Sequence, residues 1–378
     1  MRALSSHSAI SAPRRCARFF VLLVLPCGFL LPCFAGFSLS LHLEPWRMQQ
    51  IAQVEMSASR RDVMIGAALS QAELQQVKPI CEVQLHRVKP VQGQVGGQFA
   101  SISALLGGKS VELMLDTGLS EGMVTPSLAK QLKLPSVGSA EGATATGGAT
   151  VELVELRDLI LECGELLAPV TAAVASFPEE NIDENWSLTG MLGYQVLQNY
   201  DADIDFPRGK LRLWRPGEGA AVARQAGLAD VEAVVLSDFA ILGVRVLQPG
   251  GRAAAALGIV DTGAGFSAIT PSAAELLKAQ AGRKAVTIVG VDGKPVQMPL
   301  SSEVTLRLGG RALTDGGWET AVSLKTTRVA LGDLPALQTF ANGKPAVLLG
   351  LDVLGGRRLV FAAGSGPRRH LFIGPEDR

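Results

Sequence analysis

The sequence predicts a mainly β fold with short helices, organised as two lobes of one plan. Three observations carry that reading. Residues 113–132, "LMLDTGLSEGMVTPSLAKQL", return in arrangement as "GIVDTGAGFSAITPSAAELL" at 258–277, ungapped and displaced by 145 positions. Short apolar segments separated by Gly, Asp and Pro turns fill the chain from about Val83 onward, which is how strands and hairpins read. With 42 glycines, 20 prolines and 47% apolar residues in 378, the composition is that of a turn-rich globular chain long enough for two domains.

The repeat comes first because it fixes the others. Asp116 matches Asp261, and Val124-Thr125-Pro126-Ser127 matches Ile269-Thr270-Pro271-Ser272. Ahead of the first aspartate, "QFASISALL" and "SVELMLD" flank Gly107-Gly108-Lys109 and read as a hairpin whose second strand ends at Asp116. Behind each Asp-Thr-Gly, Thr125 or Thr270 is placed to cap a helix with Pro126 or Pro271 at its first position. The expected helices are 126–132 and 271–279. A further hairpin then turns at Gly147-Gly148 in one half and at Asp292-Gly293 in the other. Each half reaches an apolar-apolar-Gly signal, Met191-Leu192-Gly193 and Leu348-Leu349-Gly350, and ends in a closing hairpin. The signals lie 77 and 89 residues after their aspartates, so the second half carries about a dozen more. The expected organisation is a presequence over 1–82, a first lobe over 83–216, a linker rich in Gly and Ala over 217–230 and a second lobe over 231–375.

Several chemistries are disfavoured. Lys+Arg and Asp+Glu both total 35, so no basic excess points to nucleic acid. The four histidines are far apart in sequence, against Ser/His/Asp catalysis or a His-rich metal site. The five cysteines show no CxxC spacing, and Cys81 and Cys163 read as buried or free thiols. In "DADIDF", Asp201, Asp203 and Asp205 alternate along a strand with a polar face. Phe206 stands where a calcium loop needs Gly. No metal and no cofactor are expected.

The N-terminus has Arg2, Arg14, Arg15 and Arg18, no acid before Glu44, and an apolar stretch over 19–37. A basic region before an apolar core reads as an export signal, with a retained membrane anchor as the alternative. Arg60-Arg61 open a second element over 60–69, which resembles a twin-arginine thylakoid-lumen signal. Together the two resemble the multipart presequences of algae with complex plastids, implying plastid targeting. A plain linker helix, and a secretory or endomembrane destination, stay open beside that reading.

The paired Asp-Thr-Gly loops, turn-tipped hairpins and apolar-apolar-Gly signals resemble the aspartic peptidases, in the form of two retropepsin-like domains fused in tandem. The resemblance spans roughly 83–374. It implies a bilobal acid-protease fold, two retropepsin-like β-barrel lobes about a pseudo-twofold axis, with the lobe pairing inside one chain and hence a monomer. Asp116 and Asp261 would then be the catalytic pair, and peptides or unfolded proteins the substrates. Thr117 and Thr262 would form a crossed hydrogen-bond grip, Gly118 and Gly263 would turn an amide toward each carboxylate, and Ser120 would support the outer oxygen of Asp116. Gly147, Gly148, Asp292 and Gly293 would tip the substrate-covering flaps. The second lobe departs from the pattern at Gly265, which offers no hydroxyl where Ser120 does, and Ser267 is the nearest substitute. That departure keeps open a binding module without catalysis as the second reading.

Overall fold

The computed structural model describes residues 18–20, 77–88, 98–144, 147–176, 188–236, 241–250, 254–289, 295–314, 316–363 and 368–377. The fold is mainly β, as expected, and its two halves repeat one topology. In the first, Lys109–Asp116 pairs in parallel with Gly190–Gly193, which pairs antiparallel with Gly122–Val124, itself parallel to Val170–Val174. In the second, Ala255–Val260, Ala346–Leu349, Ala268–Ile269 and Ala330–Leu331 are joined by the same three pairings in the same senses. The strands that carry the two aspartates are buried on both sides, which is why they read as unbroken apolar runs rather than alternating ones.

The two caps form from the residues the repeat supplies. Thr125 Oγ1 accepts from Leu128 N and Thr270 Oγ1 from Ala273 N, each at 3.3 Å, at the start of helices Pro126–Leu132 and Pro271–Leu277. Both helices end on a lysine in the left-handed region, Lys133 (φ 50°) and Lys278 (φ 56°). The second helix is thus two residues shorter than its sequence suggested. The left-handed turn at Lys278 sends the Ala279 amide back to the Ala274 carbonyl, closing the helix instead of extending it.

A sheet shared by both halves joins the lobes. Its strands run antiparallel in the order Ala229–Leu236, Arg368–Ile373, Arg358–Phe361, Asp201–Asp205, Lys210–Trp214, Cys81–Gln84. The two closing hairpins meet at its centre, where Ala202 faces Phe361 and Asp205 faces Arg358. Cys81–Gln84 is the outer strand, so the folded body starts before residue 83 and the expected boundary at 82 cuts a strand. The linker is also more ordered than its composition implied. It holds the helix Glu218–Gln225, whose first turn is fixed by Asp201 Oδ2 accepting from Gly217 N (3.0 Å) and Ala220 N (2.7 Å).

One sequence expectation fails here. Cys81 and Cys163 form a disulfide, their Cα atoms 5.5 Å apart across a separation of 82 residues. Spacing could not reveal it, because only the fold brings the outer strand of the shared sheet against the turn after Leu159–Leu161. The aspartates of "DADIDF" do lie on a strand, as expected, and their polar face is covered. Asp201, Asp203 and Asp205 are all buried, and each is satisfied by backbone amides or arginines. Apart from the short strand Arg18–Phe20, which runs parallel to Ser136–Thr144, the targeting elements over 19–37 and 60–69 lie outside the described residues. Among the described residues no helix is long and apolar enough to cross a membrane.

Burial raises the Asp201 carboxyl to about 6, against the pull of its amide partners on Ala220, Ala363 and Gly217. It raises Asp352 to about 6 as well, against the hydrogen bond from Ser267. A folded value above the unfolded one means the native state holds the extra protons between about pH 4 and 6. The stability this confers is complete below that window and is lost as pH rises through it. Urea midpoints are therefore expected to fall between pH 4.5 and 7.5, by an amount equivalent to a few kcal/mol. A midpoint that rises over this range contradicts the assignment.

Candidate active site

The paired topology carries Asp116 and Asp261 to the junction of the lobes, where both side chains are completely buried. Asp116 ends its strand opposite Gly193, and the Asp261 amide donates to Leu349 O at 3.0 Å just past Val260. The loops behind them are interlocked by four hydrogen bonds. Thr117 N donates to Thr262 Oγ1 (3.1 Å), and Thr262 N donates to Thr117 Oγ1 (3.0 Å). Each hydroxyl passes its own proton to the opposite strand, Thr117 Oγ1 to Val260 O and Thr262 Oγ1 to Leu115 O, both at 2.8 Å. Each threonine hydroxyl both accepts and donates in this buried ring, so the backbones of the two loops are fixed relative to one another through two short side chains.

The glycines act by proximity. Gly118 N donates to Asp116 Oδ1 (2.9 Å) and Gly263 N to Asp261 Oδ1 (2.8 Å). Neither glycine has a positive φ, so neither is required for its turn. A Cβ on Gly118 would instead overlap the carboxyl of Asp261, and one on Gly263 the carboxyl of Asp116. The apolar-apolar-Gly signals have the same basis. A side chain at Gly193 would strike the Leu119 and Glu121 carbonyls, and one at Gly350 would strike Ala264 and Phe266. The amides that follow, Tyr194 N and Leu351 N, donate to Leu119 O and Ala264 O, each at 2.8 Å.

A family model described as Aspartyl protease matches residues 102–196, which contain the first of these loops. The matched stretch lies within the first lobe. Among solved structures the chain is similar to a retropepsin-like aspartic protease from Rickettsia conorii at 19% identity, over 35% of this chain and 89% of that one, with a TM-score of 0.24. It is also similar to basic 7S globulin from soybean at 11% identity, over 79% of this chain and 96% of that one, with a TM-score of 0.44. No curated protein matches it.

At the lobe junction, burial pushes the Asp116 carboxyl well above its ordinary value. Burial also pushes Asp261 up, and the charge of Asp116 beside it pushes it further. The second oxygen of each, Oδ2, is buried without a hydrogen-bond partner among the described residues. Ser120 is buried in the same loop, yet its hydroxyl does not reach Asp116 Oδ2. The support expected from it is therefore not made at that atom, and the absence of a hydroxyl at Gly265 leaves the second lobe no worse off there. Ser267 does not stand in for it. Its hydroxyl donates to Asp352 Oδ1 (2.6 Å) and accepts from Gly350 N (3.0 Å), tying the second loop to the helix Leu351–Leu354. No sequence signal marks Asp352, because the matching position in the first lobe is Gln195.

The expected flap tips fare differently. Gly147 and Gly148 open the strand Gly147–Leu156 and pair with Thr144 and Ala143. They are strand residues, and the connection falls on 145–146, outside the described residues. Asp292 and Gly293 also lie outside the described residues, between the paired strands Ala281–Val289 and Pro295–Ser301. Tyr194 is buried against Phe361 of the other lobe, ring centroids 6.2 Å apart. The Tyr200 hydroxyl bonds Glu165.

Proposed function

We propose that this protein is an aspartic endopeptidase that hydrolyses peptide bonds with a water activated between Asp116 and Asp261. The observation that carries the reading is the threonine ring, which locks two buried carboxyls from the two lobes against one another. Two like charges so placed cannot both ionise cheaply, so the pair holds one proton and titrates as a unit. The unpartnered Oδ2 atoms are where that proton and a water find acceptors. The ionised member takes a proton from the water as its oxygen bonds to the scissile carbon. The protonated member donates to the carbonyl oxygen as it gains charge. The carbon–nitrogen bond then breaks as the amine takes up a proton, and the dyad returns to its singly protonated state. Because the shared proton is essential, turnover is favoured at acidic pH and is lost as pH rises above the dyad's raised values.

The disulfide between Cys81 and Cys163 supports export to a compartment where thiols stay oxidised, with the basic and apolar N-terminal segment as the signal and the plastid lumen as the destination. Cleavage of a mixed peptide library from pH 3.5 to 7.5 tests the activity. Asp116→Asn and Asp261→Asn are each expected to lower kcat by about 10³-fold or more while leaving the thermal midpoint at or above that of the parent, since each removes a buried charge. Turnover that survives either substitution removes the dyad from the mechanism. A folded parent without turnover at any pH favours the binding module.

A further inference from the structure

The two active-site loops are matched position by position, and each leaves one residue only partly buried. From Asp116 to Gly122 every residue is buried except Glu121, and from Asp261 to Ser267 every residue is buried except Phe266. These two positions are related by the 145-residue repeat, so they stand in equivalent places on opposite sides of the dyad. Their backbones are held in equivalent ways, Glu121 against Gly193 and Phe266 against Gly350. What they present is opposite in character.

Phe266 packs with an apolar group that includes Val286, Ile288 and Met298 of the second-lobe hairpin and Leu337 of the helix Pro335–Ala341. Glu121 presents a carboxyl instead. Its Oε2 is buried and has no hydrogen-bond partner among the described residues, and burial raises the carboxyl above its ordinary value. A buried acceptor without a donor is costly, and a cation or strong donor brought to it recovers that cost. Nothing in the repeat requires an acid at this position, since the second lobe folds the same loop around phenylalanine.

We propose that Glu121 and Phe266 make the cleft chemically asymmetric, so that it selects peptides with a lysine or arginine facing the first lobe and an apolar side chain facing the second. The proposal rests on the peptidase reading for the direction of the peptide through the site, but the selection itself is a matter of binding. The arginine or lysine side chain donates to the Glu121 carboxylate. The apolar side chain extends the cluster around Phe266 and removes further apolar surface from water.

The test separates binding from turnover. A peptide library with one randomised position on each side of a fixed central pair is applied to the full chain carrying Asp116→Asn, and bound peptides are sequenced. The same library is offered to the parent and its cleavage sites are read. Expected is enrichment of Lys and Arg at one position and of apolar residues at the other, about tenfold over neutral polar residues. Glu121→Gln on the Asp116→Asn background is expected to erase the basic preference and Glu121→Arg to replace it with an acidic one. Phe266→Glu is expected to bring a basic preference to the second position. Binding without charge preference, a basic preference that survives Glu121→Arg, or no binding at all overturns the proposal. Charge-selective binding with no cleavage by the parent would sustain it while sinking the peptidase reading, and cleavage without charge selection would do the reverse.

Discussion

Alanine at position 263 is expected to abolish turnover and to destabilise the fold. The added methyl has no free volume to occupy, because its nearest neighbours are the Cγ and both oxygens of Asp116. That carboxyl cannot swing aside. It is fully buried, and its Oδ1 is already held by the Gly118 amide at 2.9 Å. The loop of Gly263 cannot retreat either, since Thr262 is tied to Thr117 N and Leu115 O across the lobe junction. Relief must come from displacing one loop against the other, which opens the threonine ring and separates the two aspartates. Overpacking of a filled site costs about 1–3 kcal/mol, and a displacement of about 1 Å at a reacting group costs on the order of 10²-fold in rate. Gly118→Ala meets Asp261 in the same way and should match it. Both variants are to be assayed for kcat on a cleavable peptide and for the urea midpoint. Parental turnover in either would mean that the two carboxyls do not lie against the opposite loops.

The contrast between this glycine and its sequence reading shows what was legible and what was not. Asp-Thr-Gly, its repeat and the Thr-Pro caps are local patterns. They placed both loops, both helix starts and both apolar-apolar-Gly signals at the correct residues, and overran only the end of the second helix by two residues. The reason for Gly263 is not local, because it lies in a carboxyl 147 positions away in the chain, beyond what turn chemistry can express. The same limit hid the Cys81–Cys163 bridge, which joins an outer strand to a distant turn. It hid the use of Ser267 as well, whose partner Asp352 is 85 residues on. Alternation in "DADIDF" reads as a strand with a polar face, and that strand forms, but alternation does not say what covers the face. Here the covering partners come from the same hairpin, the linker helix and the other lobe, and a period of two cannot distinguish water from arginine.

The second large effect concerns that same strand. Asp203 is completely buried and accepts from Arg358 Nε (2.8 Å) and Nη2 (2.7 Å), a two-pronged pairing between the closing hairpins of the two lobes. Arg212 Nη1 (3.3 Å) and Trp214 Nε1 (3.4 Å) complete its surroundings. Removing the carboxylate leaves a mostly buried guanidinium without its main counter-charge, and breaking such a pair costs about 3–5 kcal/mol. Asp203→Ala is therefore expected to lower the urea midpoint by an equivalent amount. Arg358→Met on the same background should recover much of the loss, because the arginine is a burden only while its partner is missing. Catalysis gives a second readout. The hairpins that carry this pair also hold the lobes in register at Ala202 and Phe361, so loosening them should lower kcat although Asp203 touches neither aspartate of the dyad. A cost below about 1 kcal/mol for Asp203→Ala, the range of exposed pairs, would show that water reaches this centre and that the lobes are held together by the threonine ring and the backbone ladder alone.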